Sequence, residues 1–83
     1  MRKIRRDISG RRLATLLSKF GYKIERQTGS HIRLRSTFTG KEHKVTIPDH
    51  EALRVGTLSN ILLDIAHYLG ISKQALSDRL LGR

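Results

Sequence analysis

The amino-acid sequence predicts an α+β domain with α-β-β-β-α order and a short extra C-terminal helix, the helices covering one face of a three-stranded antiparallel sheet. Three observations lead to this. Apolar residues recur at helical spacing in both outer parts of the chain, the period drops to two between them, and Gly or Pro marks each change of period. With 83 residues the chain suffices for one core and is too short for two. Residues 1–83 are therefore expected to form a single domain, with 1–8 as a basic N-terminal arm and 71–83 as the extra helix.

Leu13, Leu16, Leu17 and Phe20 stand at i, i+3, i+4 and i+7, one stripe of a helix that Ser9 can cap and Gly21 can end. From Tyr22 the pattern alternates, with Tyr22 and Ile24 apolar and Lys23 and Glu25 polar, as far as the turn signal Thr28-Gly29. A second strand follows, in which Ile32 and Leu34 alternate with His31, Arg33 and Arg35. Gly40 marks the next turn, and Val45 and Ile47 alternate with Lys44 and Thr46 until Pro48 removes a ladder donor. Beyond the polar link 49–56, Thr57 is the expected cap of a helix through Leu58, Ile61, Leu62, Ile65, Ala66 and Leu69, which stops at Gly70. The last helix begins near Ser72 and packs through Ala75, Leu76 and Leu80. Ile24, Ile32, Leu34, Val45 and Ile47 are expected to share one core with these stripes.

Seventeen Lys and Arg against seven Asp and Glu give a formal charge of +10, which calls for a polyanion or an acidic partner. A membrane surface is disfavoured, because the chain has neither a long apolar run nor a basic amphipathic anchor with bulky aromatics. Met1 to Arg6 is charged with no apolar stretch behind it, so a cytoplasmic location is expected. The absence of Cys excludes disulfides, thiolate catalysis and the usual structural zinc sites.

Four His remain for proton transfer near neutral pH. Because Ile32 and Leu34 claim the core side of their strand, parity turns His31 outward together with Arg33, Arg35, Lys44 and Thr46, a surface suited to phosphodiesters. His50, after Pro48, is a possible assistant. His43 in a polar hairpin and His67 on the outer side of a helix are expected to be solvated. No His and carboxylate spacing suggests a metal site, so neither metal nor cofactor is expected. Tyr22 is expected half in the core and half on the surface, where it could stack on a base. Arg2, Lys3, Arg5 and Arg6, joined by Arg11 and Arg12, extend the electrostatic footprint.

Gly29-Ser30-His31 after a strand, Val45-Thr46-Ile47-Pro48-Asp49-His50 in the next arm and Gly56-Thr57-Leu58 opening a helix together resemble HicA toxins. The likeness runs from about Ser9, through Leu13, Leu17 and Gly21-Tyr22, to Leu69-Gly70-Ile71-Ser72. It implies a fold similar to the double-stranded-RNA-binding domain, a ribonuclease that degrades messenger RNA and arrests growth, and a cognate HicB-like antitoxin. It also implies that His31 is the catalytic residue. Asp49 departs from the small or basic residue more usual in that family, and the terminal helix is longer than in its shortest members.

RNA carries its own nucleophile, the 2′-OH, so a cleaving protein needs a base, cations for the crowded phosphate, and alignment. His31 is the expected base. Gly29, Ser30 and Thr28 at the turn, with Arg33, Arg35 and Lys44 on the strands, are the expected RNA contacts. A basic ribonuclease must be held in check, and an acidic antitoxin covering the His31 face would do so. Two rival readings follow from other features. One is an RNA-binding module without catalysis. The other is a DNA-binding helix-turn-helix over Ala66–Ser77, with Lys73, Gln74 and Arg79 as readers.

Overall fold

The computed structural model describes residues 8–82. Helix α1 spans Gly10–Leu16 and starts as expected, the Ser9 hydroxyl accepting from the Arg12 amide at 3.0 Å. It tightens into a 3-10 turn over Leu17–Phe20 and stops at Gly21, whose φ of 78° is a left-handed conformation that glycine reaches without a Cβ penalty. Leu13, Leu17 and Phe20 are buried and Leu16 is half-buried, so the predicted stripe faces the core.

Strands β1 (Lys23–Thr28), β2 (His31–Ser36) and β3 (His43–Pro48) form an antiparallel meander with β2 in the centre. Ile32 pairs with Ile47 and Leu34 with Val45, all buried. The alternation of β2 is complete, with His31, Arg33 and Arg35 exposed between buried neighbours. Ser36 ends the strand as a buried polar residue with both roles of its hydroxyl used, donating to the Phe20 carbonyl at 2.7 Å and accepting from the Phe38 amide at 3.0 Å.

Helix α2 spans Val55–Leu69 and α3 spans Lys73–Leu81. Leu58, Leu62, Ile65 and Ala66 of α2, with Leu76 and Leu80 of α3, complete the core. Gly70 ends α2 in a left-handed conformation, and the amides of Gly70 and Ile71 both return to the Ala66 carbonyl. Ser72 caps α3 by accepting from the Ala75 amide at 3.0 Å. None of the described helices is long and apolar enough to cross a membrane.

Three sequence expectations about the core and the helix starts need correction. Ile24 is 55% exposed rather than part of the core, because α1 and α2 lie over β2 and β3 and leave the edge strand β1 uncovered. Tyr22 is only 2% exposed, which excludes base stacking. Thr57 is not the cap of α2. Leu53 is buried and its amide donates to the Ile8 carbonyl, so the chain is anchored early and turns helical at Val55, with Arg54 at the cap position and no side-chain cap bond. The basic arm over 1–8, Arg2, Lys3, Arg5 and Arg6 included, lies outside the described residues except for Ile8.

Candidate nucleic-acid interface

The ladder sets the outer face of the sheet in three rows. Thr28, His31 and Pro48 form the first; Arg26, Arg33 and Thr46 the second; Lys23, Arg35 and Lys44 the third. The expected contacts Thr28, Arg33, Arg35 and Lys44 therefore share one surface with His31. Arg26 joins them unannounced. Strict alternation from Ile24 would turn Arg26 towards the helices, but the register shifts between Ile24 and Arg26, a β-bulge that leaves Glu25 as an extra residue and turns Arg26 out opposite Arg33. A bulge of this kind leaves no mark in hydrophobic periodicity.

Charge is uneven across these rows. Glu25 reaches Arg35 Nε at 3.4 Å and Lys44 Nζ at 3.9 Å, and Glu42 reaches Arg35 Nη1 at 3.5 Å. The third row is thus largely self-compensated. Arg26 and Arg33 have no carboxylate partner among the described residues, so the stronger positive field lies in the row beside His31.

His31 is the first residue of β2, placed there by the two-residue turn Gly29–Ser30 between the paired residues Thr28 and His31. Gly29 has φ of 57° while no other residue type in the described chain has positive φ, the arrangement of a type II′ hairpin turn. The imidazole is exposed and makes no hydrogen bond to another described residue. On its other flank the Asp49 amide donates to the Ser30 carbonyl at 2.7 Å. His50 follows, exposed, its carbonyl accepting from the Gly10 amide at 2.9 Å. Gly29, Ser30, His31 and the Pro48–His50 segment are thereby brought to one end of the sheet.

His43 contradicts its expected solvation. It pairs with the buried Ser36, which places it on the helix side of the sheet. Nδ1 lies 2.7 Å from the Tyr22 hydroxyl, Nε2 lies 3.2 Å from Asp64 Oδ1, and the ring stacks on Tyr68 with centroids 4.6 Å apart. A carboxylate only accepts, so Nε2 carries the proton and Nδ1 accepts from Tyr22. Burial, with Tyr68 and Asp64 adding to it, pushes the Tyr22 phenol far above its ordinary range and keeps it a donor. His43 and His31 stand five ladder positions apart, about 17 Å at the usual strand rise, so His43 is no part of the His31 surface.

His67 is exposed on the last turn of α2, as expected. At the C-terminal helices, Lys73 Nζ donates to Ser59 Oγ at 2.7 Å and Gln74 Nε2 to Asp78 Oδ1 at 2.8 Å, so two of the three expected DNA readers are engaged within the protein. Among the described residues no three His, Asp or Glu side chains are grouped to hold a metal ion.

An exposed imidazole at a strand start, next to Thr28 and to a row with two guanidinium groups that have no carboxylate partner among the described residues, can move a proton next to a bound phosphodiester. A sequence model of the family described as HicA toxin of bacterial toxin-antitoxin matches residues 10–67, from α1 to most of α2 and including every residue of the sheet. No curated protein and no solved structure matches the chain.

Proposed function

We propose, from the premise that this chain belongs to the HicA family of bacterial toxin-antitoxin toxins, that it is an endoribonuclease acting on messenger RNA with His31 as its base. The observation that supports this most is the exposed His31 ring in the row next to Arg26 and Arg33. RNA would lie across the outer sheet face, its phosphates against Arg33 and Arg26 and secondarily Arg35 and Lys44, with Thr28, Gly29 and Ser30 at the scissile end.

In this reading His31 takes the 2′-OH proton, the 2′-oxygen attacks the adjacent phosphorus, and the 5′-oxygen leaves with a proton from solvent. The products are a 2′,3′-cyclic phosphate and a 5′-OH, with no metal required. His50 follows Asp49 at the same end of the sheet and is the candidate to assist. The toxin's antitoxin is proposed to be HicB-like, with an acidic surface that covers the His31 face and competes for the cations RNA needs.

Expression of wild type beside His31→Ala in bacteria tests the reading. Wild type should arrest growth and deplete total messenger RNA, and the variant should do neither. Equal toxicity would remove His31 from the mechanism. Binding of RNA without cleavage by either protein would favour a binding module instead.

A further inference from the structure

The hairpin that carries His31 has little packing of its own. A Cβ built on Gly29 would meet nothing within 4 Å, β1 is exposed throughout, and Ser30 and His31 are exposed as well. Yet proton transfer depends on where this tip stands, since a misplacement of about 1 Å can cost on the order of 100-fold in rate. Something other than hydrocarbon must hold it.

Three polar side chains from three elements converge behind the turn. Asp49 Oδ2, at the end of β3, accepts from Gln27 Nε2 of β1 at 3.0 Å and from Arg11 Nη2 of α1 at 3.2 Å. Arg11 Nη2 also donates to Gln27 Oε1 at 3.1 Å, which closes the triangle. Gln27 Nε2 approaches the Gly29 carbonyl at 3.4 Å, and the Asp49 amide holds the Ser30 carbonyl. The two residues that precede His31 are thus tied to the same small cluster. Its anchorage is rigid, because α1 is pressed on this segment through Gly10, where an added Cβ would fall 1.9 Å from the Pro48 carbonyl oxygen.

We infer that Arg11, Gln27 and Asp49 form a clasp that fixes the Gly29–Ser30 turn, and that Asp49 is a positioning residue for the reaction at His31. It touches no substrate and acts through Gln27 and the main chain. The ladder orients Gln27 to the helix side, opposite Ile32 and away from the face that carries Arg26 and Arg33. The departure at Asp49 noted in the sequence fits what it grips: a small side chain there would remove the one acceptor that Gln27 Nε2 and Arg11 Nη2 share. This inference rests on the ribonuclease reading for its kinetic consequence and on geometry alone for its structural one.

The test uses the full-length protein with Asp49→Ala, Asp49→Asn and Gln27→Ala, read by steady-state cleavage of an RNA oligonucleotide and by amide NMR of the hairpin. Asp49→Ala and Gln27→Ala should each lower kcat about 10-fold or more with KM changed less than about 3-fold. Asp49→Asn still accepts from Gln27 and should recover most of the rate. In the alanine variants the Asp49 amide, which donates to the Ser30 carbonyl, and the His31 amide should exchange faster, while those of α2 stay protected. Unchanged kcat, or a loss of protection spread evenly over the molecule, would overturn the clasp. If wild type does not cleave RNA at all, the ribonuclease reading and the positioning role fail together, and the exchange pattern alone then decides whether the clasp holds the turn.

Discussion

Two histidines in one ladder are put to opposite uses by parity. His31 follows the outward set of β2, whereas His43 belongs with Val45 and Ile47 on the inward set of β3. The buried Tyr22 hydroxyl has His43 Nδ1 as its partner, so His43→Ala should destabilise the fold by about 1–3 kcal/mol through that lost bond, apart from the lost stacking on Tyr68. Urea unfolding measures this, and cleavage per folded molecule should stay at the wild-type value. Because the folded Tyr22 resists ionisation, its contribution is fully present below the ordinary tyrosine range and declines as pH rises past about 10, at roughly 1.4 kcal/mol per pH unit. Tyr22→Phe should remove that part of the slope, and an unchanged slope would contradict the account. At Gly10 the argument is steric. Gly10→Ala drives a Cβ into the Pro48 carbonyl and should cost roughly 1–3 kcal/mol by thermal or urea unfolding, while displacing the strand end opposite His31.

At the scale of elements, β1 and β2 differ in what their apolar residues do. Ile24 overhangs an uncovered edge and Leu34 sits under the helices, so Ile24→Ala should change stability by less than about 1 kcal/mol and Leu34→Ala by about 2–5 kcal/mol. Comparable losses at both sites would mean that β1 is covered after all. The element order was legible in the sequence because three of its boundaries carry a glycine that the backbone uses, Gly21 and Gly70 as helix stops and Gly29 as the hairpin turn. The first turn of α2 was not, because its start depends on Leu53 reaching the core and no capping side chain marks it. Carrying the Val45 and Ile47 alternation back two places would have found His43 on the inside. Nothing comparable would have found Arg26, which faces outward only because the ladder skips Glu25.

Over the whole molecule, a formal charge of +10 gives the sign of the partner but not its position. The structure distributes it: Glu25 and Glu42 compensate the row farthest from His31, and the row nearest to it stays uncompensated among the described residues. Removing one contacting cation lowers the salt slope of single-stranded RNA binding by about 0.7. Arg33→Gln and Arg26→Gln should each approach that value, and Arg35→Gln should fall short of it. A uniform decrement at all three would show that the acidic side chains do not shape the surface. The exposure of His31 was readable from parity, and its alignment was not, since the three side chains behind the turn come from α1, β1 and the end of β3 and meet only in the fold. The central claim, an imidazole acting as base on the ribose hydroxyl, is tested most directly by mapping the ends of an RNA strand cleaved by purified wild type and by His31→Ala. The account predicts 2′,3′-cyclic phosphate and 5′-OH ends from wild type and intact RNA from the variant; 5′-phosphate ends, or equal cleavage by both proteins, would contradict it.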